Sequence, residues 1–368
     1  MFANARGQVV KLLTNLPELQ ELLVKIDQTD NLERAYNYPH LYRCLVVGDK
    51  VWLNTTAVQL GLGTGGRHFV IPESEQTEVS LAPGHIMKLR YTPWQFPILA
   101  GEEEASPYHE LLTERTSLAG TPVVAAPLHS MLPGVILGFR QAFQKTSKIA
   151  YIMTDGAALP IALSNLVREL KERYWLDLTI TAGHAFGGDL EAVSIPSALA
   201  LAKEVLHPDL IVVALGPGIV GTGTALGFSG IEQSWIIDLT ARMNGIPIAV
   251  PRISIADPRA RHQGISHHSM TILDLANNSA LLALSRRLSK NLLQEITQNL
   301  GKLRLRHQWY LTDEPEASGL FAAAEIKPQS MGRGLAEDPA FFQTTIAAGY
   351  LAAQVKLGNL MKLSKIAE

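Results

Sequence analysis

From about residue 120 onward, apolar runs of strand length alternate with amphipathic segments of helix length, and this alternation constrains the fold more than any other feature. The predicted strands lie at 122–128, 149–154, 178–182, 210–215, 246–255, 280–284 and 303–311. The predicted helices lie at 134–145, 160–174, 197–206, 230–244, from 266 onward, at 288–300 and at 339–356. Apolar strands joined by helical crossovers are typical of a parallel sheet buried on both faces. We therefore predict an α/β, Rossmann-like domain over residues 116–368, with three αβα layers and a mostly parallel sheet of six or seven strands.

The first 115 residues have a different pattern of apolar runs. Short runs rich in β-branched and aromatic residues are separated by turn formers, and they lie at 7–13, 41–47, 50–54, 67–71 and 84–92. Closely spaced short strands of this kind are typical of a small barrel or sandwich. The segment 93–118 carries three prolines and an acidic run, which favours a linker. The sequence therefore predicts a small β-barrel-like domain with its linker over residues 1–115.

Composition narrows the classes of function. The 368 residues are 47% hydrophobic and 18% charged, and 32 basic residues against 34 acidic ones give a net charge of −2. The basic residues are dispersed, so the sequence lacks the electrostatic footprint of a nucleic-acid-binding protein. Cys44 is the only cysteine, which excludes an intrachain disulfide. No signal peptide is apparent, and prolines or glycines interrupt both long uncharged stretches. We therefore expect a cytoplasmic protein that binds neither nucleic acid nor membrane.

Polar side chains follow the predicted strands at the points where the strands end. His129, Asp155, His184, Asp189 and Asp257 all lie in such loops. Because ligands of open α/β sheets bind outside the carboxyl ends of the strands, we expect a site at this edge. Asp155, His184 and Asp189 are the predicted catalytic acids and bases. Together with His129 they are also a candidate set of ligands for a divalent metal such as zinc, manganese or magnesium, although their spacing follows no known ligand motif.

The loop after the strand 210–215 contains a formal G-x-G-x-x-G pattern, formed by Gly216, Gly218 and Gly221. It departs from the dinucleotide fingerprint, because the glycine-rich loop continues to residue 230 and Asp238, at the expected distance for a ribose ligand, falls inside a predicted helix. Exposed N–H groups of these glycines, with the Thr222 hydroxyl, are predicted to hold an anionic group. Close packing of the loop on the sheet is the alternative interpretation.

The segment 257–269 is dense in basic side chains. Ser266 is predicted to cap a helix whose first turn holds His267 and His268. A helix N-terminus surrounded by guanidinium groups is a natural receptor for phosphate or carboxylate. Adjacent helical residues point about 100° apart, so we do not expect His267 and His268 to share a metal. The alternative is that the histidines only cap and pack. The predicted ligand-binding residues of this segment are Arg259, Arg261, His262, Ser266, His267 and His268.

Five motifs in order, at residues 54–66, 153–160, 187–193, 216–233 and 257–269, resemble a family of uncharacterised bacterial proteins, a domain of unknown function. The resemblance covers nearly the whole chain. It implies a bacterial cytoplasmic protein of about this length, and it brings no activity, cofactor or catalytic residue.

Two classes of function remain open from the sequence. The first is an enzyme that acts on a small anionic metabolite, phosphorylated or carboxylated, bound at the carboxyl ends of the strands. The second is a ligand-sensing or scaffold protein that binds a metabolite without turning it over. The sequence leaves open whether a divalent metal serves as cofactor and whether the chain forms a homo-oligomer.

Overall fold

The computed structural model describes residues 3–61, 64–73 and 84–366. The chain forms two compact units, residues 1–98 and 99–368. The predicted linker straddles this division, and our predicted boundary at residue 115 lies later in the chain. Residues just beyond 98 pack within the second unit, where Glu102 Oε1 accepts hydrogen bonds from the Val193 N–H (2.8 Å) and the Ser197 hydroxyl (2.5 Å).

The first unit contains a closed five-stranded barrel, which confirms the barrel-like prediction. Its strands follow the order β1-β2-β3-β5-β4, with only the β3–β5 pair parallel. Their bounds are β1 Asn4–Asn15, β2 Gln20–Ile26, β3 Leu32–Asn37, β4 Lys50–Asn54 and β5 Arg67–Ile71, with the short helix α1 Thr56–Gln59 before β5. An antiparallel pair completes the unit, β6 Ile86–Lys88 and β7 Phe96–Ile98.

The second unit contains the larger α/β part of the fold. Its strands are β8 Pro122–Ala126, β9 Ile149–Thr154, β10 Leu178–Ala182, β11 Leu190–Ala192, β12 Leu210–Leu215, β13 Ile246–Ala249, β14 Ile253–Ser254, β15 Gly264–Ile265, β16 Leu281–Ser285, β17 Gln308–Thr312 and β18 Ser364–Lys365. Its α-helices are α2 His109–Leu112, α3 Leu132–Phe143, α4 Asn165–Glu172, α5 Ile195–Leu206, α6 Gln233–Arg242, α7 His267–Leu275, α8 Lys290–Asn299, α9 Leu303–Arg306, α10 Ala317–Ala323 and α11 Pro339–Lys356. Short 3₁₀ helices lie at 129–131, 161–163, 229–232, 260–262 and 360–362.

A nine-stranded sheet forms the middle layer, in the order β11-β10-β9-β12-β8-β13-β16-β17-β18. Every neighbouring pair is parallel except β17–β18. This confirms the predicted α/β class. The sheet has more strands than predicted because β11 and β18, of three and two residues, are too short to produce a hydrophobic pattern. Strands β14 and β15 form a separate antiparallel ribbon.

Helices cover both faces of this sheet. The buried side chains of α3, α4, α10 and α11 belong to the core on one face, and those of α5 to α9 to the core on the other. Glycines let α3 and α11 pack backbone to backbone: a Cβ on Gly138 would lie 2.1 Å from the Ile346 carbonyl oxygen, and one on Gly349 would lie 2.0 Å from the Val135 carbonyl oxygen. A side chain at either position would push the two helices apart.

The strand order reverses between β8 and β12, which are neighbours. From β8 the chain crosses to β9 through α3 on one face, whereas from β12 it crosses to β13 through α6 on the other. In such a sheet the crevice for ligands lies outside the carboxyl ends of the strands at the reversal. We refer to the edge at which these parallel strands end as the carboxyl edge.

None of the described helices has both the length and the apolar character needed to cross a membrane.

Candidate functional site

The ribbon β14–β15 holds the basic segment in place beside the start of α7. The Ser266 N–H donates to the Arg252 carbonyl oxygen (2.9 Å), and the Arg252 N–H donates to Ser269 Oγ (2.8 Å). The intervening residues 255–263 therefore form a loop whose two ends are fixed next to the N-terminus of this helix.

Asp257 organises the arginines around this loop. Its fully buried carboxylate accepts hydrogen bonds from Arg252 Nη2 (2.6 Å), Arg259 Nε (2.9 Å) and Arg333 Nη2 (3.3 Å). The bond from Arg259 is the main reason that the pKa of Asp257 lies well below its usual range. The guanidinium of Arg259, predicted as a ligand-binding group, is thus committed to a partner inside the protein.

The imidazole cluster consists of His262, His267 and His268. Their ring centroids are 4.2–4.9 Å apart, and one ligating nitrogen from each residue lies within 4.8 Å of the other two. Among the described residues, this is the one group of three or more histidine, cysteine or acidic side chains with that geometry.

The close approach of His267 and His268 differs from our expectation that neighbouring helical side chains diverge. Both residues lie in the first turn of α7, with Ser266 as its N-cap. No preceding helical turn restricts their χ1 rotamers, so the two rings can turn toward each other over the end of the helix.

Hydrogen bonding within the imidazole cluster is incomplete. Ser266 Oγ accepts from the His268 N–H (3.3 Å) and shares a hydrogen bond with His262 Nδ1 (2.7 Å). The Nε2 atoms of His267 and His268 are buried, and neither has a hydrogen-bond partner in the described part of the chain. Burial, reinforced by neighbouring arginines, lowers the pKa of His262 to about 3 and, together with the nearby His267, that of His268 to about 4. These rings are therefore neutral at pH 7 and carry lone pairs.

The glycine loop after β12 lies against the imidazole cluster. A Cβ on Gly221 would lie 3.2 Å from His268 Cε1, and one on Gly223 would lie 3.5 Å from Arg261 Nη2. The His268 ring stacks on Phe228 with centroids 3.9 Å apart. The two segments singled out in the sequence thus meet at the carboxyl edge.

The loop itself is a tight hairpin. The Thr222 N–H and hydroxyl both donate to the Gly227 carbonyl oxygen (2.8 and 3.0 Å), so this hydroxyl is used inside the loop. A Cβ on Gly216 would lie 2.6 Å from the Ala158 carbonyl oxygen, and Gly218 has φ 95°. Gly216 and Gly218 therefore shape the loop, which fits the packing interpretation for these two positions.

Arg261 differs from the other arginines of the site. It is exposed, and it makes no hydrogen bond or ion pair with any described residue. Its guanidinium lies beside Gly223, in the basic segment that carries the imidazole cluster. A guanidinium that has no internal partner is available to a ligand.

A second group, which we term the carboxyl cluster, consists of Thr154, Asp155 and Glu232. The Thr154 hydroxyl donates to Glu232 Oε1, and a Cβ on Gly156 would lie 3.0 Å from Glu232 Oε2. Burial, together with the charge of Asp155, raises the pKa of Glu232 to about 7 against the effect of the Thr154 bond. Glu232 is the last residue of the 3₁₀ helix whose N-cap is Phe228. The two residues are therefore separated by about 8 Å along the helix axis.

Sequence reasoning missed Glu232, although a signal was present. It is the only acidic residue between positions 210 and 237, and a lone carboxyl in an otherwise uncharged stretch is a candidate for a shifted pKa.

The structure separates the predicted catalytic residues. Asp155 accepts a hydrogen bond from the His184 N–H (2.9 Å), so these two are neighbours. Asp189 lies elsewhere, because residues 183–189 turn back along β10 and place its carboxylate on the N–H (2.9 Å) and hydroxyl (2.8 Å) of Thr179, near the start of that strand. Burial raises the pKa of Asp189, but bonds from Lys171 and Thr179 outweigh it and hold the pKa below its usual range.

His129 is also occupied. Its Nδ1 shares a hydrogen bond with the Tyr151 hydroxyl (3.1 Å) and its Nε2 with Ser164 Oγ (2.6 Å), and burial lowers its pKa to about 4. With both ring nitrogens bonded, it has no free lone pair for a metal. The predicted metal set of His129, Asp155, His184 and Asp189 does not gather in the described part of the chain, since their loops lead in different directions.

Comparison with known families identifies the chain. A family model described as a protein of unknown function (DUF3866) matches residues 34–349, which include the imidazole cluster, Arg261 and Glu232. No curated protein matches the sequence. The match covers well over half of the chain, and the protein therefore belongs to this family of unknown function.

Proposed function

We propose that the protein is an enzyme that acts on a small anionic metabolite, phosphorylated or carboxylated, at the carboxyl edge of the nine-stranded sheet. The observation that carries the proposal is the guanidinium of Arg261, which lies beside Gly223 of the glycine hairpin and has no partner in the described part of the chain. Its proposed setting is the bacterial cytoplasm, in keeping with the resemblance of the motifs.

The charges around the site favour an anion. Arg252, Arg259 and Arg333 share the single carboxylate of Asp257, and Arg333 is also 3.6 Å from Asp338. Arg261 adds a further positive charge without a counter-charge of its own. Charge-assisted bonds from guanidinium to phosphate or carboxylate are among the strongest polar contacts in proteins. An anion would therefore satisfy Arg261, the one arginine of this group of four that has no partner among the described residues.

The carboxyl cluster favours catalysis over sensing. A group whose pKa is near the working pH exchanges protons most effectively in a transition state, and the pKa of Glu232 is about 7. A ligand sensor does not require a half-buried carboxyl group whose pKa lies near the working pH. We assign Glu232 the role of general acid or base, with Asp155 as the neighbouring charge that helps to raise its pKa.

Titration calorimetry with inorganic phosphate tests the anion site. We expect Arg261→Ala to weaken binding about 10–100-fold, the range for loss of a charge-assisted contact. The matched control is Arg242→Ala, which removes an exposed arginine at the end of α6, beside the start of β13 and therefore at the opposite edge of the sheet. Equal phosphate affinity in the wild type and in Arg261→Ala contradicts the proposal.

Turnover distinguishes the two classes of function. A panel of phosphate and carboxylate esters is incubated with the wild type and with Glu232→Gln. Hydrolysis or rearrangement by the wild type that Glu232→Gln loses supports an enzyme. Retained phosphate binding with no turnover of any member of the panel favours the ligand-sensing alternative.

A further inference from the structure

We propose that the imidazole cluster, His262, His267 and His268, binds one divalent transition-metal ion of the zinc type and leaves a coordination position open to an anion held by Arg261. This goes beyond the proposed function, which concerns only an anionic metabolite. Binding of the metal ion can be measured without any metabolite.

First, the three imidazole nitrogens of the cluster are suitable ligands for a transition metal. One nitrogen from each of three imidazoles lies within 4.8 Å of the others. In a tetrahedral zinc site neighbouring ligand atoms are about 3.3 Å apart, so modest side-chain rotations close the remaining gap. Imidazole is a ligand for zinc, copper, iron and nickel, whereas magnesium and calcium select oxygen. The cluster contains no carboxylate, which points to a transition metal.

The second argument is the pair of unsatisfied nitrogens. Buried polar atoms nearly always have partners, yet Nε2 of His267 and Nε2 of His268 have none among the described residues. A metal ion would satisfy both at once. The remaining member can take the same role in one tautomer: when His262 Nδ1 donates to Ser266 Oγ, the lone pair lies on His262 Nε2.

The third argument concerns charge. Arg252, Arg259 and Arg261 lie close enough to act electrostatically on the rings, and Asp257 is the carboxylate that offsets Arg252 and Arg259. A bare cation is opposed by this positive surrounding, whereas a cation that carries an anion on its open position is not. Metal and anion should therefore strengthen the binding of each other, and by the same factor in both directions.

Three protein ligands with an open position are typical of catalytic rather than structural metal sites. At such a position the ion polarises an oxygen of a bound anion or lowers the pKa of a bound water. The three imidazoles supply the ligands, and Arg261 directs the anion toward the ion.

The test uses the full-length protein, stripped with a chelator and titrated with Co²⁺ while the visible absorption of the ion is followed. We expect one ion per chain with the intense spectrum of tetrahedral cobalt, and displacement by Zn²⁺. Loss of a residue that only hydrogen-bonds to a metal ligand typically weakens metal binding about 10–100-fold. Because His267→Gln and His268→Gln each remove a ligand itself, each should weaken cobalt binding by more than that. The control is His40→Gln, which changes an exposed histidine of the first unit. Circular dichroism shows whether each variant is folded.

The outcomes separate this inference from the proposed function. Arg261→Ala should lose phosphate affinity while it still binds cobalt. Absence of a cobalt spectrum in the folded wild type, or unchanged binding in both glutamine variants, overturns the metal site. If phosphate still binds in that case, the anion site at Arg261 stands without the metal.

Discussion

His129 and the imidazole cluster both lie near the carboxyl edge of the same sheet, and these two sets of histidine rings differ in how the protein satisfies their nitrogens. His129 is bonded at Nδ1 by Tyr151 and at Nε2 by Ser164. In the imidazole cluster, the Nε2 atoms of His267 and His268 are buried but have no partner among the described residues. Burial lowers the pKa in both groups, so the pKa alone does not tell them apart.

If the imidazole cluster binds a ligand as we propose, the satisfaction of ring nitrogens by hydrogen bonds distinguishes structural from ligand-binding histidines better than burial does. Leaving a polar atom buried without a partner costs about 1–3 kcal/mol. A folded protein that retains two such atoms side by side is poised to recover that free energy from a ligand. His129 has nothing left to offer a ligand, and its role is to hold β9 and the start of α4 together through Tyr151 and Ser164.

The largest effect is expected for His129→Ala at neutral pH. The substitution removes both hydrogen bonds of the ring and leaves a cavity. The Tyr151 hydroxyl then keeps only long bonds to the Ala214 and Leu215 carbonyl oxygens (3.4 and 3.5 Å). Ser164 Oγ keeps the Val167 N–H (3.0 Å). We expect the free energy of unfolding to fall by about 2–4 kcal/mol, measured by denaturant titration. Phosphate and cobalt affinities of the folded variant should equal those of the wild type. A variant that keeps its stability and loses binding would reverse the roles of the two groups.

Acid should destabilise the protein through the same histidine. The pKa of His129 is about 4 in the folded state and about 6.5 in the unfolded chain, so its neutral form stabilises the fold above pH 6.5, and this contribution is lost as the pH falls toward 4. The shift corresponds to at most about 3 kcal/mol. Between pH 6.5 and 4 the free energy of unfolding should fall less steeply in His129→Gln than in the wild type. Equal slopes would show that His129 does not titrate in this way.

Glu232 should respond to pH in the opposite direction. Its pKa is about 7 in the folded state against a usual value of 4.5, so it stabilises the fold below pH 4.5, and this contribution is lost as the pH rises through 7. Glu232→Gln keeps an acceptor for Thr154 without the charge. As the pH rises from about 5 to about 8.5, we expect the free energy of unfolding of the variant to increase by about 1–3 kcal/mol relative to that of the wild type. Thermal unfolding at each pH measures this difference. A constant difference across this range contradicts the raised pKa.

The smallest effect on stability is expected for His268→Gln at pH 7.5. The Nε2 atom that is lost had no partner, so only the stacking on Phe228 weakens, and the free energy of unfolding should change by less than about 1 kcal/mol. Chemical denaturation of the metal-free protein measures this. A loss as large as that in His129→Ala would mean that the imidazole cluster is a structural element.

Much of the second unit could be predicted because its strands are continuous apolar runs. The predicted ranges 149–154, 178–182, 210–215 and 339–356 coincide with the observed β9, β10, β12 and α11. Strands buried on both faces leave no ambiguity in their pattern, and Pro339 marks the start of the last helix.

The barrel was harder to predict because polar side chains replace part of its backbone pairing. The predicted strand 41–47 is irregular: Gln20 bonds both backbone groups of Leu45, and Asn37 bonds the Arg43 carbonyl oxygen. The strands that carry these residues, β2 and β3, were not predicted, since each is only six or seven residues long and neither sequence alternates strictly between polar and apolar residues.

The candidate site also had parts that could be predicted from the sequence and parts that could not. The basic segment and the glycine loop are local in sequence and were both found. Their partners are not local: Arg333 reaches Asp257 across 76 positions, and Thr154 meets Glu232 across 78. Contacts of this range follow from the strand order, which the hydrophobic pattern of a single sequence does not specify.

Nitrogen NMR of the histidine rings tests the central claim most directly, because it observes both groups of histidines in one sample. The protein is labelled with ¹⁵N-histidine, and ring signals are assigned by single His→Gln variants and followed during addition of Zn²⁺ and then phosphate. We expect the Nε2 signals of His262, His267 and His268 to move until the site is saturated, while both signals of His129 stay fixed. Unmoved signals in the imidazole cluster, or a response confined to His129, would contradict it.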